Sequence, residues 1–508
     1  CHFSTASEVA LTCCTFFKRR KRMNLIQVSL YALIQLCKFD CAKLTGRKHV
    51  VFPELLESRG ANSSRFLKIT GDLALNLRKS SILDKSFLLR TYEDGVMKHT
   101  YHDGEILEED LYHDVNYFAS VMVSEDDGLR VEGVLGPTLR IKPLTEERIA
   151  KGRNAHLLYE IAADEDHNDT NMAVGGQRWA HISKRDDRPG KSDAVAHPEL
   201  IVIADSTFRR QFTTVLTLLK YIIITVNSAN VRYTTVQNPG VRLKLHALEV
   251  FDEYTESFLH RVDNILAAVR SLEAFKNYVS QNPHKYTTFD AVYLFTGLNL
   301  ATYNGYTWEL SLQGLAYVAG ACSYQKVAIG EDSVGTFFGV RIFTHEVGHL
   351  LGCPHDGQFF GSYSSRNCPW DDGYIMSYRV ENSRSMKFSP CCQENIWQFV
   401  QSESGRCVLE ERTQRRIGKG NYTRTLPGDI ITEEKICRSA FPQVSDTYLM
   451  QEGKQDCQGR CYMPQHSYHG RFRTAVFPDN YRCRSNMYCV NGDCVVKKLK
   501  YSIYRPSK

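Results

Sequence analysis

The spacing of apolar residues divides the chain into regions of different character. From residue 43 to about residue 185, apolar and polar residues alternate in stretches such as Tyr117–Val123 and Thr138–Ile141. A period of two places alternate side chains on opposite faces of a strand, so this region is predicted to be β-rich. After about residue 411, helical periodicity is poor.

From His197 onward, short apolar runs alternate with longer amphipathic stretches. Leu200–Ala204, for example, is a continuous apolar run between Pro198 and Asp205, which is typical of a buried strand. We predict strands over Leu200–Ala204, Val241–Val250, Ala291–Phe295 and Leu315–Ala319, and helices over Phe208–Tyr233, Tyr254–Val279 and Val334–Leu351. Strands that alternate with helices in this way indicate an α/β sandwich.

The beginning of the sequence has the character of an export signal. Leu25–Leu36 suits the apolar segment of a secretory signal. This predicts a start at Met23, a signal peptide over residues 23–42 and translated upstream sequence over residues 1–22. A core helix near the N-terminus is the alternative interpretation. Further along, the longest apolar stretch is interrupted by Lys220, so we predict no membrane span.

A polar, turn-rich stretch over residues 164–195 has the composition of a linker. It contains the dibasic pair Lys184-Arg185, which is a candidate processing point. Three sequons, at Asn62, Asn168 and Asn421, agree with a secreted, extracellular glycoprotein.

Cysteine is distributed very unevenly. Of the 17 cysteines, five lie in residues 1–41, none in residues 42–321 and twelve in residues 322–494. If the first five leave with the signal, an even number remains, as an oxidising compartment favours. Six fall in residues 322–407 and six in residues 437–494, which predicts a separate disulfide-rich module from about residue 411 onward.

The net charge of +6 combines a strongly basic C-terminal region with a slightly acidic remainder. Residues 411–508 carry 18 Lys and Arg against 9 Asp and Glu, a net of +9, so the remainder has a net of −3. A basic tail can hold a protein on anionic matrix or cell surfaces, although it can also serve solubility alone. We expect no nucleic-acid partner.

The sequence His345-Glu-Val-Gly-His349 contains the clearest candidates for a catalytic site. On a helix, His345 and His349 share one face and can bind one Zn²⁺. Glu346 lies beside the metal, where a general base belongs. Gly352 can reverse the chain and bring His355 in as a third ligand. Three protein ligands leave one position open for water, which is typical of a catalytic zinc.

Met376 lies in the sequence Tyr374-Ile-Met-Ser-Tyr378. In a zinc peptidase with this extended motif, a turn containing methionine lies beneath the ligands, and Met376 is the candidate. Without the histidine motif, a core methionine would be the better interpretation. Each histidine alone would also be read as an ordinary core or surface residue, but the combination favours a zinc peptidase.

These residues resemble the metzincins, and Asp356 directly after the third histidine points to the reprolysin (adamalysin) family. His197–Asp205, Asp290–Gly297 and Gly314–Cys322 look like strands of that family. The tail is similar to the cysteine-rich region of the ADAMTS branch. The short build looks most like the tick salivary reprolysins.

The resemblance implies an α/β metzincin (zincin-like) catalytic domain over residues 196–410, with a mixed β-sheet and an active-site helix. A β-rich propeptide over residues 43–190 would precede it, and a basic cysteine-rich domain over residues 411–508 would follow. Cys322 and Cys407 would form a disulfide. Glu199, Asp290, the Cys407 carbonyl and Glu410 fall where the family often holds a structural Ca²⁺.

The sequence leaves undecided how the enzyme would be kept latent and which cysteine pairs with Cys353. Many propeptides of the family cap the zinc with a cysteine, but residues 42–321 contain none, so latency would need steric cover or another ligand. Cys353 could pair with Cys368, Cys391 or Cys392, and the sequence does not choose among them.

The sequence therefore predicts a secreted zinc metalloendopeptidase. Zn²⁺ would activate water and polarise the peptide carbonyl, and Glu346 would move the proton. By analogy with the family, its substrates would be extracellular matrix or plasma proteins such as fibrinogen or gelatin. The alternatives are a toxin-like binding protein that acts through its cysteine-rich module, and a protein in which zinc is purely structural.

Overall fold

A computed structural model describes most of the chain from residue 48 to residue 496. The described residues are 48–57, 65–93, 96–126, 128–144, 149–150, 153–161, 195–310, 312–377, 379, 383–410, 432–441, 444, 446–464, 472–477, 481–490 and 493–496. The predicted upstream and signal segments, the three sequons and Lys184-Arg185 lie outside them. Among the described helices, none is long and apolar enough to cross a membrane.

The N-terminal region is rich in strands, as its period of two predicts. Nine strands form one antiparallel sheet in the order β1-β13-β10-β9-β8-β7-β4-β3-β2. The elements are β1 (Lys48–Val51), β2 (Glu54–Glu57), β3 (Arg65–Lys68), β4 (Ala74–Lys79), β5 (Leu83–Glu93), β6 (Val96–Asp103), α1 (Gly104–Leu107), β7 (Leu111–Asp114), β8 (Ala119–Ser124), β9 (Arg130–Leu135), β10 (Leu139–Pro143), β11 (Ile149–Ala150), β12 (Arg153–Asn154) and β13 (His156–Glu160).

The central region has the strands and helices of an α/β fold. Its strands are β14 (Val195–Ala196), β15 (Glu199–Ala204), β16 (Gly240–Val241), β17 (Lys244–Val250), β18 (Arg261–Val262), β19 (Ile265–Ala267), β20 (Ala291–Thr296), β21 (Asn299–Tyr303), β22 (Trp308–Glu309), β23 (Gly314–Ala316), β24 (Val327–Glu331), β25 (Phe359–Phe360) and β26 (Tyr363–Ser364). Its helices are α2 (Ser206–Arg209), α3 (Val215–Tyr233), α4 (Ala268–Gln281), α5 (Pro283–Tyr286), α6 (Gly339–Leu350) and α7 (Pro390–Gln401), with 3₁₀ helices at Trp370–Asp372, Ser383–Met386 and Arg406–Leu409.

The main sheet of the central region contains two strands from the N-terminal region. Its order is β23-β24-β20-β15-β17-β5-β6. β24, β20, β15, β17 and β5 run parallel to their neighbours in this series, whereas β23 and β6 are antiparallel edge strands. The predicted division between residues 190 and 196 therefore falls between two parts of the chain that share one sheet.

Both faces of the main sheet are buried, which explains the continuous apolar run at its centre. Leu200 and Val202 point into a core formed with α3 and α6. Ile201 and Ile203 point into a second core formed with α4. The side chains of Leu200–Ala204 point alternately to the two faces of the sheet, but both faces meet apolar neighbours, so this part of β15 contains no polar residue.

Three predicted helices begin later than their apolar periodicity indicates. The stretch from residue 208 contains the end of α2 and a break before α3, where Thr214 caps the new helix by accepting the amide of Thr217. The helix predicted from Tyr254 begins at Ala268, because the intervening residues form turns and the β18–β19 hairpin, with Asp263 in a left-handed conformation (φ 51°).

The helix predicted from Val334 begins at Gly339, after Phe337 adopts a positive φ of 51°. A left-handed residue cannot continue a right-handed helix, so the periodicity of the sequence alone overestimates helix length here. The strand predicted over Leu315–Ala319 similarly ends at Ala316, and Ala319 has a φ of 54°.

Six disulfides cross-link the second half of the chain. Within the central region they join Cys322 to Cys407, as the resemblance implies, Cys353 to Cys392 and Cys368 to Cys391. In the tail they join Cys437 to Cys461, Cys457 to Cys489 and Cys483 to Cys494. The structure thus chooses Cys392 among the three partners open to Cys353, and the two groups of six cysteines remain separate.

The tail is a small module around its own disulfides. Its elements are α8 (Glu433–Ala440), β27 (Gln458–Tyr462), β28 (Phe472–Val476), β29 (Arg482–Arg484), β30 (Met487–Val490) and β31 (Asp493–Val496). Its apolar cluster contains Ile436, Phe441 and Phe477 together with the disulfide sulfurs, and also Val96 of strand β6. The tail therefore packs against the same hairpin that extends the main sheet.

Asp205 fixes the carboxyl end of β15. Its buried carboxylate accepts hydrogen bonds from the Phe208 amide at 2.6 Å, the Thr296 hydroxyl at 2.5 Å and the Gly297 amide at 3.2 Å. Asp205→Ala leaves these donors buried and unsatisfied, so we expect it to lower the free energy of unfolding by about 3 kcal/mol. Denaturant unfolding with the disulfides intact measures this loss.

Glu253→Ala is the matched control, because the Glu253 carboxylate is exposed and pairs only with exposed Arg210 among the contacts described. We expect it to change the free energy of unfolding by less than about 1 kcal/mol. Equal effects of the two substitutions would contradict the role given to Asp205.

Candidate metal centre

Helix α6 carries the first two histidines of the motif. His345 and His349 lie one turn apart, and both are almost completely buried. After Leu350 the chain reverses at Gly352, whose φ of 103° is in the region that favours glycine. A β-carbon at Gly352 would also lie 3.0 Å from the Phe399 side chain. The glycine therefore allows both the reversal and the close packing of α7.

The reversal places His355 against the other two histidines. The Nε2 atom of His355 lies 3.1 Å from Nε2 of His349 and 3.1 Å from Nε2 of His345. These three residues form one of the groups of described side chains that could hold a metal ion. The structure thus brings together the three ligands that the sequence predicts.

Backbone carbonyls fix the orientation of two of the rings. Nδ1 of His345 lies 2.8 Å from the Ile375 carbonyl oxygen, and Nδ1 of His349 lies 2.6 Å from the Cys353 carbonyl oxygen. A carbonyl only accepts, so each Nδ1 donates its proton and each Nε2 keeps a lone pair. The lone pairs then point at one another, an arrangement that is repulsive unless a cation lies between them.

The geometry of the cluster fits zinc. Nitrogens about 2.0–2.1 Å from a common tetrahedral ion lie about 3.3 Å apart, close to the 3.1 Å separations here. Neutral imidazoles whose second nitrogen is held by a backbone carbonyl, as in His345 and His349, are a frequent zinc environment. The donor set therefore suits a zinc ion with one further coordination position.

Burial keeps the three imidazoles neutral. It lowers the pKa of His349 to about 4, and it lowers the pKa values of His345 and His355 well below the ordinary histidine value. The neighbouring imidazoles add to the decrease for His345 and His355, because two adjacent positive charges repel. Neutral rings are the form that can donate a lone pair to a metal.

Glu346 is buried between α6 and the edge strand β23. A β-carbon at Gly314, in β23, would lie 2.5 Å from Oε1 of Glu346 and 2.7 Å from Ile342. Only a glycine at this position leaves the carboxylate in its place. This role of Gly314 was not predicted from the sequence. No local signal in the sequence indicates it, because Gly314 and Glu346 lie on separate elements that only the fold brings together.

Met376 lies beneath the histidines, where the sequence places it. It is fully buried, and a β-carbon at Gly348 of α6 would lie 3.0 Å from its sulfur. The same turn supplies the Ile375 carbonyl to His345, and the Met376 carbonyl accepts the amide of Asp356 at 3.0 Å. The turn therefore holds both the helix and the third ligand.

Asp356 links the third ligand to helix α7. The Ser389 hydroxyl donates to Oδ1 of Asp356 at 2.6 Å, and the same serine caps α7 by accepting the Cys392 amide. Burial raises the pKa of Asp356 to about 6. On the other side, the ring of Trp370 meets the ring of His355 edge to face at 5.8 Å. Neither Ser389 nor Trp370 is identifiable from the motif.

The four residues predicted to hold calcium are only partly brought together. Asp290 Oδ2 accepts the Glu199 amide at 3.0 Å, and the Asp290 carboxylate lies beside the Cys322–Cys407 disulfide. Glu199 and Asp290 are buried, whereas Glu410 is exposed and its amide donates to the Cys407 carbonyl at 2.9 Å. A calcium site here remains a prediction.

Comparison with known proteins agrees with this geometry. A reprolysin-type family model, described as metallo-peptidase family M12, matches residues 197–389. These residues contain all three histidines, Glu346 and Met376. The chain is a metalloendopeptidase whose residues 197–389 match the reprolysin family. A match to this family implies zinc as the cofactor and proteins as the substrates.

Relatives extend the match beyond the catalytic region. The chain is 29% identical to the venom metalloproteinase antarease TserMP_A of Tityus serrulatus, over 76% of this chain and 99% of that protein. It is 26% identical to the venom metalloproteinase BumaMPs1 of Olivierus martensii, over 72% of this chain and 93% of that protein. The particular resemblance to tick salivary enzymes remains a prediction.

A longer relative is also similar. The chain is 24% identical to a protein of Bombyx mori named "A disintegrin and metalloproteinase with thrombospondin motifs like", over 79% of this chain and 60% of that protein. This match agrees with the similarity of the tail to the ADAMTS branch.

Gly314→Ala tests the packing of Glu346 against β23. The new β-carbon would displace the carboxylate, and a displacement of about 1 Å lowers catalysis about 100-fold. We expect a decrease of that size in the hydrolysis of labelled casein, with zinc content unchanged by atomic absorption, because the histidines do not move.

Gly240→Ala is the control, since its β-carbon would meet only Val195, at 3.5 Å. It should retain full activity. Normal activity of Gly314→Ala, or loss of its zinc, would contradict the contact with Glu346.

Proposed function

We propose that the protein is a secreted zinc endopeptidase in which His345, His349 and His355 hold the metal. The observation that carries this proposal is the convergence of three neutral, buried Nε2 atoms beside a buried glutamate. When bound, zinc lowers the pKa of a water molecule and polarises the scissile carbonyl. The three histidines leave a coordination position for that chemistry.

Glu346 is the proposed general base. Its position one residue after His345 places it beside the ligands without making it one. The carboxylate accepts a proton from the attacking water and donates it to the leaving amine. The narrow space left by Gly314 restricts the directions that the carboxylate can take, which supports a single productive orientation.

The edge strand β23 is the proposed position for the substrate backbone. It is antiparallel to β24 and ends the main sheet on the side where Glu346 lies. An extended peptide can pair with an open strand edge through main-chain hydrogen bonds. This arrangement would present a peptide bond to Glu346 with little dependence on side chains.

The wider organisation follows the sequence prediction. We propose a metzincin catalytic domain over residues 196–410, a propeptide over residues 43–190 processed at Lys184-Arg185, and a basic cysteine-rich domain over residues 411–508. Extracellular matrix or plasma proteins are the proposed substrates, supported by the venom metalloproteinases among the relatives. The basic tail would hold the enzyme on anionic surfaces.

Glu346→Gln tests the catalytic assignment. The amide has the same shape but cannot accept the proton, so we expect hydrolysis of labelled casein and gelatin to fall at least about 100-fold. Zinc content and the melting temperature should stay close to those of the unaltered protein.

Glu394→Gln, an exposed glutamate of α7, is the matched control and should keep full activity. N-terminal mapping of products from plasma and matrix would then identify the substrates. If both variants produce the same cleavage pattern, Glu346 is not the general base. If an effect on matrix or plasma persists with Glu346→Gln while cleavage is lost, the tail acts as a binding module.

Removal of zinc separates a catalytic metal from a structural one. Three disulfides and two buried cores hold the central region, so we expect a chelator to abolish hydrolysis while far-ultraviolet circular dichroism stays unchanged. Added Zn²⁺ should restore activity. Unfolding at the same chelator concentration that stops hydrolysis would instead indicate a structural zinc.

A further inference from the structure

The hairpin of β5 and β6 forms part of the main sheet and does not merely lie on its surface. Strand β5 pairs in parallel with β17 over the register Ala247 to Leu88, Leu248 to Leu89 and Glu249 to Arg90. In addition, the Leu245 amide donates to the Ile82 carbonyl at 2.8 Å. The hairpin therefore satisfies backbone groups of β17 that would otherwise form an open edge.

Side chains of β5 contribute to both apolar cores of the central region. Leu83 and Phe87 are buried in the core that contains α3 and α6. Leu88 and Tyr92 pack against the core that contains α4. A strand that is covered on both faces is an internal part of a sheet.

A buried ion pair joins the two strands at their register partners. The Arg90 guanidinium donates to Oε2 of Glu249 at 2.6 Å, and the two side chains are 4% and 0% exposed. The Tyr92 hydroxyl donates to Oε1 of Glu249 at 2.5 Å. From the central region itself, the Tyr286 hydroxyl donates to Oε2 at 3.0 Å.

The groups around Glu249 favour its charged form, and the hairpin supplies two of them, Arg90 and Tyr92. The positive charges of Arg90 and Lys285 outweigh burial and lower the pKa of Glu249. Lys285 donates to the Tyr92 hydroxyl at 3.1 Å, so the hairpin also connects this second cation to the acid. Without β5, the Glu249 carboxylate would lose its closest counter-ion and a hydrogen-bond donor.

The tail contacts the outer strand of the hairpin. Val96 of β6 is buried in the apolar cluster of the cysteine-rich module. Arg473 of β28 places its guanidinium 5.5 Å from the ring centre of Tyr254 in the central region. The hairpin thus contacts β17 of the main sheet on one side and the tail on the other.

The rest of the N-terminal region covers helix α3 and the loop before α6. The Ser120 hydroxyl donates to the Ile224 carbonyl at 3.2 Å and accepts from the Asn227 amide group at 2.8 Å. Nε of Arg140 donates to the Thr336 carbonyl at 2.7 Å, and the Tyr159 hydroxyl donates to the Gly335 carbonyl. These contacts close the second face of a helix whose residues are mostly apolar.

We propose that the β5–β6 hairpin is a resident part of the protease sheet, so that residues 48–161 stay bound at the edge of β17 after the linker is cut, with Arg90 and Glu249 as the anchor. The occupant of this edge is a named segment of the same chain. The inference goes beyond the proposed function and does not depend on the chemistry of the histidines.

The experiment uses the full chain with Glu346→Gln, so that the protein does not digest itself. A cleavage site for an unrelated protease replaces residues 184–189, and an affinity tag follows residue 47. After complete cutting, we expect the two fragments to coelute in size-exclusion chromatography at about 1 µM and to copurify through the tag after dilution to about 10 nM. Separation of the fragments at 1 µM would overturn the proposal.

Arg90→Leu tests the anchor in the same cut protein. Breaking a buried ion pair leaves the other charge uncompensated, so the dissociation constant between the fragments should rise at least about 100-fold. Arg153→Leu is the matched control, because Arg153 pairs with Glu54 in a half-exposed contact within the N-terminal region. If the two variants dissociate equally, the anchor is assigned wrongly.

A double variant distinguishes the buried charge from general loss of packing. Arg90→Leu with Glu249→Leu removes both charges, and we expect it to recover at least about tenfold of the lost affinity. Failure to recover would show that the uncompensated carboxylate is not the cause. Tyr92→Phe removes one hydrogen bond to Glu249 and should weaken the complex by about tenfold.

Hydrogen exchange provides a measurement that needs no variant in the anchor. The amides of Lys244–Val250 should keep the same protection before and after the linker is cut, because β5 remains paired with β17. A large loss of protection in β17 on cutting would overturn the proposal even if the fragments coelute.

Discussion

A parallel sheet is stable when both of its faces are buried, and this constraint shapes most of the molecule. Strand β15 lies at the centre of such a sheet and is completely buried along its length. Helices α3 and α6 cover one face, and α4 covers the other. The active-site helix is therefore also a core helix, and the position of its histidines depends on how its apolar side packs on the sheet.

Burial of both faces of the sheet also explains the position of the histidine cluster. His345 and His349 are buried because α6 is buried, and His355 packs against them after the reversal at Gly352. Burial keeps all three imidazoles neutral and ready to bind a metal. Each supporting contact comes from a different part of the chain. The Ile375 carbonyl orients His345, the Cys353 carbonyl orients His349, and Gly314 leaves room for Glu346. The disulfide between Cys353 and Cys392 ties the loop of the third ligand to α7.

The main sheet would have β23 and β17 as its two edge strands if β5 were absent. An edge strand presents unpaired backbone groups to which another strand can bind. At one end β23 stays at the border of the sheet, beside Glu346, where we propose that a substrate pairs with it. At the other end β17 is paired with β5, and a buried acid on β17 meets a buried arginine on β5. Residues 42–321 contain no cysteine that could cap a metal. Extensive packing of the N-terminal region against α3, β17 and the tail is a different way to keep that region in place.

The sequence by itself determined the elements whose signal is local. The spacing of His345, Glu346 and His349 on a helix, followed by Gly352 and His355, predicts the zinc cluster, because helix geometry fixes which side chains share a face. The apolar runs at β15 and β20 predict buried strands, and the two groups of six cysteines predict two disulfide-linked regions. Only the tertiary structure decided the partner of Cys353, the late start of α4 and α6, the closeness of Gly314 to Glu346, and the insertion of β5 beside β17. These depend on contacts between residues far apart in the chain, such as the 159 positions that separate Arg90 from Glu249, and a local pattern carries no information about them.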